Sequence, residues 1–313
     1  MPEFIARRIL AAVPVLLMVA VIVFLVLRLT PGDPAVMVAG DNASPEQLVA
    51  IRHAMGLDQP ILSQLLVWLK RMATGDFGTS LISGLPVKDM ILDRLGPTLS
   101  LSLCTVVFAI VVAIPVGVFA AWQQGRLADR IVMSGSVAGF SVPVFIVGYV
   151  LILLFARWMH LLPVQGYQPI SDGLTGFAKR LVLPTLSLSA PYIALIARIV
   201  RTSVIEVMNE DYIRTARAKG LTELAVLMKH ALRNAAVPII TIIGVSIAML
   251  ISGVVVIESV FNIPGLGRLV LEAVLARDYV VIQTLILLFS SMYVLINLGV
   301  DVLYAVFDPR VRY

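Results

Sequence analysis

Charged residues are scarce in this sequence. Asp, Glu, Lys and Arg make up 14% of its 313 residues, compared with about 25% in an ordinary soluble domain. Apolar residues account for 59%, and many of them form long runs without charge. The shortage of charge excludes an ordinary soluble globular protein and indicates a chain that lies mostly within a lipid bilayer.

Reactive and metal-binding side chains are also few. The single cysteine, Cys104, excludes an intrachain disulfide, and the three histidines are too far apart in the sequence to have the spacing of metal ligands. Neither the phosphate-binding motif G-x-x-x-x-G-K-[ST] nor the nucleophile motif G-x-S-x-G is present. We therefore expect no catalytic residue, metal site or cofactor in this chain.

Six long apolar runs occupy most of the chain. A helix needs about 20 apolar residues to cross a bilayer, and the first run is too long for the apolar core of a cleavable signal peptide. The fourth run is the shortest and contains Pro184 and Pro191. The sequence predicts a single all-α membrane domain over residues 1–313, with transmembrane helices at roughly 9–27, 98–122, 131–155, 181–200, 237–257 and 280–307.

The distribution of Lys and Arg among the loops predicts the orientation. An even number of spans places both termini on one side, and the basic residues concentrate at the termini and in the loops after the second and fourth spans. Short cytoplasmic loops carry such an excess. We therefore predict cytoplasmic termini, an external segment over 28–97, a cytoplasmic loop over 201–236 and an external loop over 258–279. The net charge of +5 reflects this asymmetry and gives little support to nucleic-acid binding.

The two external regions carry turn and helix signals. Pro31-Gly32-Asp33-Pro34 predicts a turn, and Ser44-Pro45-Glu46-Gln47 predicts the capped start of a short helix against the outer membrane face. In the loop ESVFNIPGLGRLVLEAVLARDY, a sharp turn precedes a short amphipathic helix. This loop is either a re-entrant or surface-lying scoop or a plain packed connection.

The cytoplasmic loop is the most charged part of the chain. Asn209 is predicted to cap a helix that contains a Glu210–Arg214 pair and ends at Gly220, and Thr222 is predicted to cap a second helix with an apolar stripe. We expect the second helix to lie against the membrane helices and the first to present Tyr212, Ile213, Ala216 and Gly220 to a cytosolic partner. The alternative is that both helices lie on the lipid headgroups.

Several motifs resemble one family of transporters. EDYIRTARAKGL followed by KHALRNAAVP is similar to the EAA loop of ABC importer permeases, in the form found in the dipeptide, oligopeptide, glutathione and nickel group. RLTPGDPA, GLDQP, GDFGTSL, LLPVQGY, FNIPGLGRL, RDYVVIQ and DVLYAVFDPRVRY are similar to that group's first permease subunit, nearly from end to end. Glu206, Ala216 and Gly220 occupy the acidic, small and glycine positions of the motif, whereas Val207 and Met208 stand where the generic motif has alanines.

The resemblance implies a type I importer permease in the bacterial inner membrane, working by ATP-driven alternating access. Its implied partners are a second homologous permease, two ATP-binding subunits at the cytoplasmic face, an external solute-binding protein and membrane lipid. The residues implied to couple to the ATPase are Glu206, Asp211, Tyr212, Ile213, Arg214, Ala216, Arg217, Lys219 and Gly220. Those expected to face the binding protein are Asn262, Pro264, Gly265, Gly267 and Arg268. Dipeptides, longer peptides, glutathione and nickel complexes all stay open as solutes.

The last span carries a polar face of Tyr293, Asn297 and Asp301. Since a charge within a span is a functional candidate, Asn297 and Asp301 are candidates for the translocation path. Alternatively, Asp301 lies near the cytoplasmic end and pairs with an arginine there. An ion-coupled secondary transporter would need ionisable groups near the midplane of the membrane, and a membrane sensor or scaffold would need no path at all.

Overall fold

The computed structural model describes residues 2–29, 35–36, 44–54 and 56–307. The turn predicted at residues 31–34 and the closing residues 308–313, which include two of the arginines counted for the orientation, lie outside these ranges. The described residues form helices and loops, with one isolated antiparallel bridge between Thr79 and Pro86. They divide into two compact units, one built on Gly96–Arg268 with the residues before Ala6 and after Val294, and the other on Ala6–Leu95 and Leu269–Val294.

The α-helices follow one another along the chain with short connections. They are α1 (Pro2–Leu29), α2 (Pro45–Ala54), α3 (Ile61–Ala73), α4 (Val87–Trp122), α5 (Leu127–Ser141), α6 (Val144–Leu151), α7 (Leu174–Met208), α8 (Asp211–Ala218), α9 (Glu223–Ala225), α10 (Leu232–Asn234), α11 (Ala236–Val260), α12 (Leu266–Ala276) and α13 (Tyr279–Phe307). π-Helical turns cover Ile152–Trp158 and Val226–Ala231, and Ile170–Asp172 is a 3₁₀ turn.

Within the described ranges, five helices are long and apolar enough to cross a membrane, namely α1, α4, α7, α11 and α13. The third predicted span is not one straight helix. It consists of α5 and of α6 with its π-helical extension, which meet at an angle of 102°. The break falls at Val142 and Pro143, because proline disfavours a helical conformation at the preceding residue and Val142 is extended (φ −84°, ψ 123°). Pro184 and Pro191, in contrast, lie inside α7 without ending it.

Helix α7 forms the centre of the unit built on Gly96–Arg268. In its most apolar window 56% of the residues are buried, against 17–33% in the other four helices. Gly117 of α4 allows a close approach, because a Cβ at that position would lie 2.6 Å from the carbonyl oxygen of Ala197 and 2.7 Å from Cβ of Val200. Gly139 of α5 also faces α7, with its Cβ position 3.6 Å from Cβ of Ala194. Small residues thus bring the backbones of neighbouring membrane helices together.

The other unit contains the described residues of the segment predicted to be external, up to Leu95. The predicted helix start is confirmed: the N–H of Gln47 donates to Oγ of Ser44 at 3.2 Å and the N–H of Ser44 donates to Oε1 of Gln47 at 3.0 Å, which is a capping box. The rings of Phe24 in α1 and Trp68 in α3 pack with centroids 5.7 Å apart. The short helices predicted in this segment are therefore confirmed as α2 and α3, and their position outside the membrane stays a prediction.

Two of the family-like motifs meet within this second unit. The hydroxyl of Ser80, from GDFGTSL, donates to the carboxylate of Asp278, from RDYVVIQ, and both side chains are buried. The Asp278 carboxylate also accepts the N–H groups of Leu81 and Val281, each at 3.4 Å, so that it caps the first turn of α13. Arg94 pairs with Glu272 at 2.7 Å in the same unit.

Candidate functional site

The loop predicted to be cytoplasmic contains the predicted helix, glycine turn and second helical segment. Gly220 adopts φ +80°, a conformation that favours glycine, and Oγ1 of Thr222 accepts the N–H of Ala225 at 3.4 Å. The predicted cap at Asn209 is wrong. Asn209 keeps a helical backbone conformation as the residue that follows the end of α7, and Glu210, whose backbone is extended, is the residue that precedes α8. The second segment is interrupted by the π-helical turn, which shifts its apolar spacing.

Ion pairs in the loop differ from the predicted one. Arg214 pairs with Asp211 at 3.3 Å rather than with Glu210, since Glu210 precedes the helix. Arg217 forms a two-point contact with Glu223, at 2.8 and 3.2 Å, across the glycine turn. All four side chains are substantially exposed, so each pair contributes at most about 1 kcal/mol.

The interior of the loop is a small apolar cluster. Ile213 is 0% exposed, and it packs with Ala216 and Val226 against Val207 and Met208 at the end of α7. The expectation that Ile213 and Ala216 face a partner is therefore wrong. Helix α8 has only eight residues and one narrow apolar side, and the loop uses that side for its own core. Val207 and Met208, which replace the generic alanines, add volume to the same cluster.

Other apolar side chains of the loop are left uncovered. Leu224 is 70% exposed and Met228 is 52% exposed, and Leu221 is also exposed. We call the loop over 201–236 the coupling loop, after the role that the family resemblance implies, and Leu221, Leu224 and Met228 its apolar face. Of the predicted stripe, Leu227 and Ala231 pack into the core around α7, as expected. Leu224 and Met228 lie outside that core.

Tyr212 lies on the exposed side of α8. Desolvation, helped by the negative charge of Glu210, raises the pKa of the Tyr212 phenol above its ordinary value of about 10. The phenol is therefore protonated at physiological pH and can donate a hydrogen bond. Lys219, Gly220 and Glu206 of α7 are exposed as well.

The loop predicted to be external, over 258–279, is organised around a carboxylate that sequence reasoning missed. Glu258, at the end of α11, is 0% exposed, and its Oε1 accepts the hydroxyl of Thr98 at 2.6 Å. Oγ1 of Thr98 accepts the N–H of Leu266 at 2.7 Å, and Oε2 of Glu258 accepts the N–H of Arg268 at 3.0 Å. Two N–H groups in the first turn of α12 thus have buried acceptors. The N–H of Arg268 donates to the Glu258 carboxylate itself, and the N–H of Leu266 donates to Thr98, whose hydroxyl donates to that carboxylate.

The two glycines of the PGLG sequence make room for this carboxylate. A Cβ at Gly265 would lie 2.1 Å from Oε1 of Glu258. A Cβ at Gly267 would lie 2.6 Å from the Cα of Val255 and 3.0 Å from Oε2 of Glu258. The signal in the sequence is an acidic residue at the end of an apolar run, followed closely by two glycines separated by one residue.

The rest of this loop packs against its own unit. Phe261 and Ile263 are buried, and the carbonyl of Phe261 accepts the N–H of Gly166, from the LLPVQGY motif, at 2.9 Å. Asn262, at φ +52°, accepts a hydrogen bond from the guanidinium of Arg268. The loop exposes Asn262 and Pro264 at its tip, and its description as a scoop or as a packed connection stays a prediction.

The polar face of the last span is only partly buried. Tyr293 is exposed, whereas Asn297 and Asp301 are half-buried. Each of the three engages a partner, so none is a free polar group. Their assignment to a translocation path stays a prediction.

Two family models match the chain. The family described as "Binding-protein-dependent transport system inner membrane component" matches residues 113–313. The family described as "Binding-prot-dependent transport system membrane comp, N-term" matches residues 1–102.

Similar proteins extend the match to the whole chain. The chain is 48% identical to the "Probable peptide ABC transporter permease protein y4tP" of Sinorhizobium fredii, over 100% of both chains. It is 42% identical to the "Glutathione transport system permease protein GsiC" of Escherichia coli, again over 100% of both.

A solved structure shares the fold. The MetNI methionine ABC transporter, in an inward-facing conformation, matches with a TM-score of 0.59 at 19% identity, over 71% of this chain and 98% of that chain. The match confirms the predicted all-α fold of an ABC importer permease. The chain is a multi-pass inner-membrane protein and belongs to the family of binding-protein-dependent transport system inner membrane components.

Proposed function

We propose that this chain is one of two homologous permease subunits of an importer that takes up peptides or glutathione-like solutes. ATP and Mg²⁺ are bound by two partner ATPase subunits, and the chain itself holds no cofactor. An external binding protein delivers the solute, and ATP hydrolysis drives alternating access. The names of the relatives, which are peptide and glutathione permeases over their full length, support this solute class.

The apolar face of the coupling loop is the observation that carries the proposal. The loop already has an interior of its own, formed by Ile213, Ala216 and Val226. Leu221, Leu224 and Met228 are nevertheless exposed beside charged side chains. A partner that covers Leu224 would gain about 1.5–3 kcal/mol from that one side chain. We assign the ATPase subunit to this face, with Tyr212, Arg214 and Lys219 as polar contacts.

The docking assignment is tested with a matched pair of variants. Leu224→Gln removes an apolar side chain from the face, whereas Lys229→Gln changes an exposed neighbour to the same residue. We expect Leu224→Gln to weaken co-purification of the ATPase by about tenfold or more, with Lys229→Gln close to wild type. Wild-type ATPase binding by Leu224→Gln would contradict this docking surface.

Orientation is tested with single cysteines in a Cys104→Ser background. Asp58 lies in the external segment and Glu223 in the coupling loop, and both are exposed. We expect an impermeant thiol reagent to label Asp58→Cys in intact cells and to leave Glu223→Cys unlabelled. The reverse pattern would overturn the orientation and, with it, the assignment of the ATPase.

The solute class is tested with the whole complex in proteoliposomes. Binding protein loaded with dipeptide, longer peptide, glutathione or a nickel complex is added to the outside, and ATP hydrolysis inside is measured. We expect stimulation by at least one peptide ligand and no ATP hydrolysis by this chain alone. Stimulation only by the nickel complex would contradict the proposed solute, and transport driven by an ion gradient without ATP would contradict the proposed mechanism.

A further inference from the structure

A charged pair is largely buried where α5 and α7 meet. Asp129 lies in the first turn of α5 and its side chain is 5% exposed. Nε and Nη2 of Arg201, in α7, donate to its two carboxylate oxygens at 2.5 and 2.7 Å. This two-point geometry fixes both the distance and the relative orientation of the two helices.

The same carboxylate also holds the turn between α4 and α5. Oδ2 of Asp129 accepts the N–H of Gly125 at 2.9 Å, and Gly125 adopts φ +78°. One side chain therefore connects the turn and α5 to α7. One helical turn before Arg201, α7 is also in close contact with Gly117 of α4.

Arg201 is connected to the coupling loop by an unbroken stretch of α7. Met208 lies seven residues further along the helix, or about 10 Å along its axis. Val207 and Met208 contact the apolar cluster of the coupling loop. A displacement of the loop therefore reaches Arg201 through packed side chains and a continuous helix.

A gain in stability is a weak explanation for the presence of this buried ion pair. Replacing a buried ion pair by apolar residues of similar volume is often neutral or stabilising. An apolar contact, however, lets two helices slide past each other, whereas a two-point ion pair resists sliding. The chain keeps the charged pair on the two helices that lead to the coupling loop and to the bend at Pro143.

We propose that Asp129 and Arg201 are positioning residues that pass movement of the coupling loop from α7 to α5, and through α5 to the bend before α6. The inference rests on the proposed coupling of this chain to an ATPase. Without the pair, α7 moves with the ATPase while α5 does not follow. ATP hydrolysis then continues but moves less solute.

The test compares Asp129→Asn and Arg201→Gln with the control Arg130→Gln. Asparagine keeps an oxygen acceptor for Gly125 and removes the charge, and Arg130 is an exposed neighbour of Asp129 in α5. The complete complex, with ATPase and loaded binding protein, is purified and reconstituted, and solute moved per ATP hydrolysed is measured. We expect that ratio to fall about tenfold in Asp129→Asn and Arg201→Gln, with normal ATPase co-purification and with Arg130→Gln unchanged.

A ratio is measured per assembled complex, so lower abundance of a variant does not obscure it. A wild-type ratio in Asp129→Asn and Arg201→Gln, even with less protein, would overturn the inference and leave the pair a purely stabilising contact. Restoration of the ratio in the exchanged double variant, Asp129→Arg with Arg201→Asp, would support it. Failure of the wild-type complex to couple transport to ATP would instead refute the proposed function.

Discussion

The coupling loop (201–236) and the loop predicted to be external (258–279) hold their shapes by different means. The coupling loop is held by apolar contacts around Ile213, and it leaves Leu224 and Met228 uncovered. The external loop is held by hydrogen bonds to the Glu258 carboxylate, and it buries Phe261 and Ile263 in its turn. Leu271, Val274 and Leu275, in the helix that follows the turn, are exposed. The turn of the external loop is thus completed within the chain, whereas the coupling loop and α12 both leave apolar side chains uncovered. Both loops resemble family motifs, so resemblance alone did not distinguish these two situations.

The largest expected effect is a loss of stability when the external loop loses the Glu258 carboxylate. Glu258→Ala removes the acceptor of the Thr98 hydroxyl and the Arg268 N–H in a buried site, at a cost of about 2–5 kcal/mol. Glu223→Ala removes an exposed carboxylate from the coupling loop and should cost less than about 1 kcal/mol. Thermal unfolding of the purified protein in detergent measures both. Equal losses of thermal stability in Glu258→Ala and Glu223→Ala would show that the external loop does not depend on its carboxylate.

The glycines of the two loops provide the next comparison. Gly267→Ala places a Cβ 2.6 Å from backbone Cα of Val255, and overpacking of this kind costs about 1–3 kcal/mol. Gly220→Ala meets no atom within 4 Å, so only its left-handed backbone is penalised, by about 1 kcal/mol. Thermal unfolding should therefore rank Gly267→Ala as the more destabilised. The opposite order would mean that the glycine turn carries more strain than the close approach.

Substitutions on α8 separate the interior of the coupling loop from its surface. Ala216→Trp forces a large side chain into the buried cluster, at about 1–3 kcal/mol, whereas Tyr212→Trp changes an exposed aromatic residue. We expect Ala216→Trp to make the loop sensitive to protease and to reduce ATPase association as a consequence, and Tyr212→Trp to do neither. A protease-resistant loop in Ala216→Trp would contradict the buried position of Ala216.

The smallest expected effect is a pH dependence of the coupling loop. Because the pKa of Tyr212 is raised in the folded loop, its protonated form is favoured by folding. The contribution of the protonated phenol to folding stability is fully present below the pKa of the unfolded chain, about 10, and is lost as the pH rises through the pKa of Tyr212 in the folded loop. The tyrosinate absorbance of wild type minus that of Tyr212→Phe should titrate above pH 10. If the difference absorbance titrated at or below pH 10, the raised pKa of Tyr212 would be contradicted.

Local features of the fold were predictable from the sequence. The spans follow from composition, and the capping box at Ser44 and the turn at Gly220 depend on residues within four positions of each other. The bend at Pro143 was not predicted, because the effect of a proline depends on its neighbours and Pro184 and Pro191 stay inside a helix. Proline content alone does not locate a break.

The site was less predictable than the spans. A short amphipathic helix can turn its apolar side toward the chain or toward a partner, and nothing within α8 decides between them. The external anchor joins Thr98 to Glu258 across 160 residues, and the pair of Asp129 and Arg201 spans 72 residues. Such pairs depend on how the helices pack, so no local pattern indicates them.

The hydrogen bond between Ser80 and Asp278 has a consequence for biosynthesis. The two residues are 198 positions apart, and a ribosome adds about 5–20 residues per second. About 10–40 s therefore pass between the synthesis of Ser80 and that of its acceptor, Asp278, which directly precedes the last membrane helix. Until then the hydroxyl of Ser80 lacks its buried acceptor. A nascent chain stalled before Asp278 would carry the turn around Ser80 in an incomplete form.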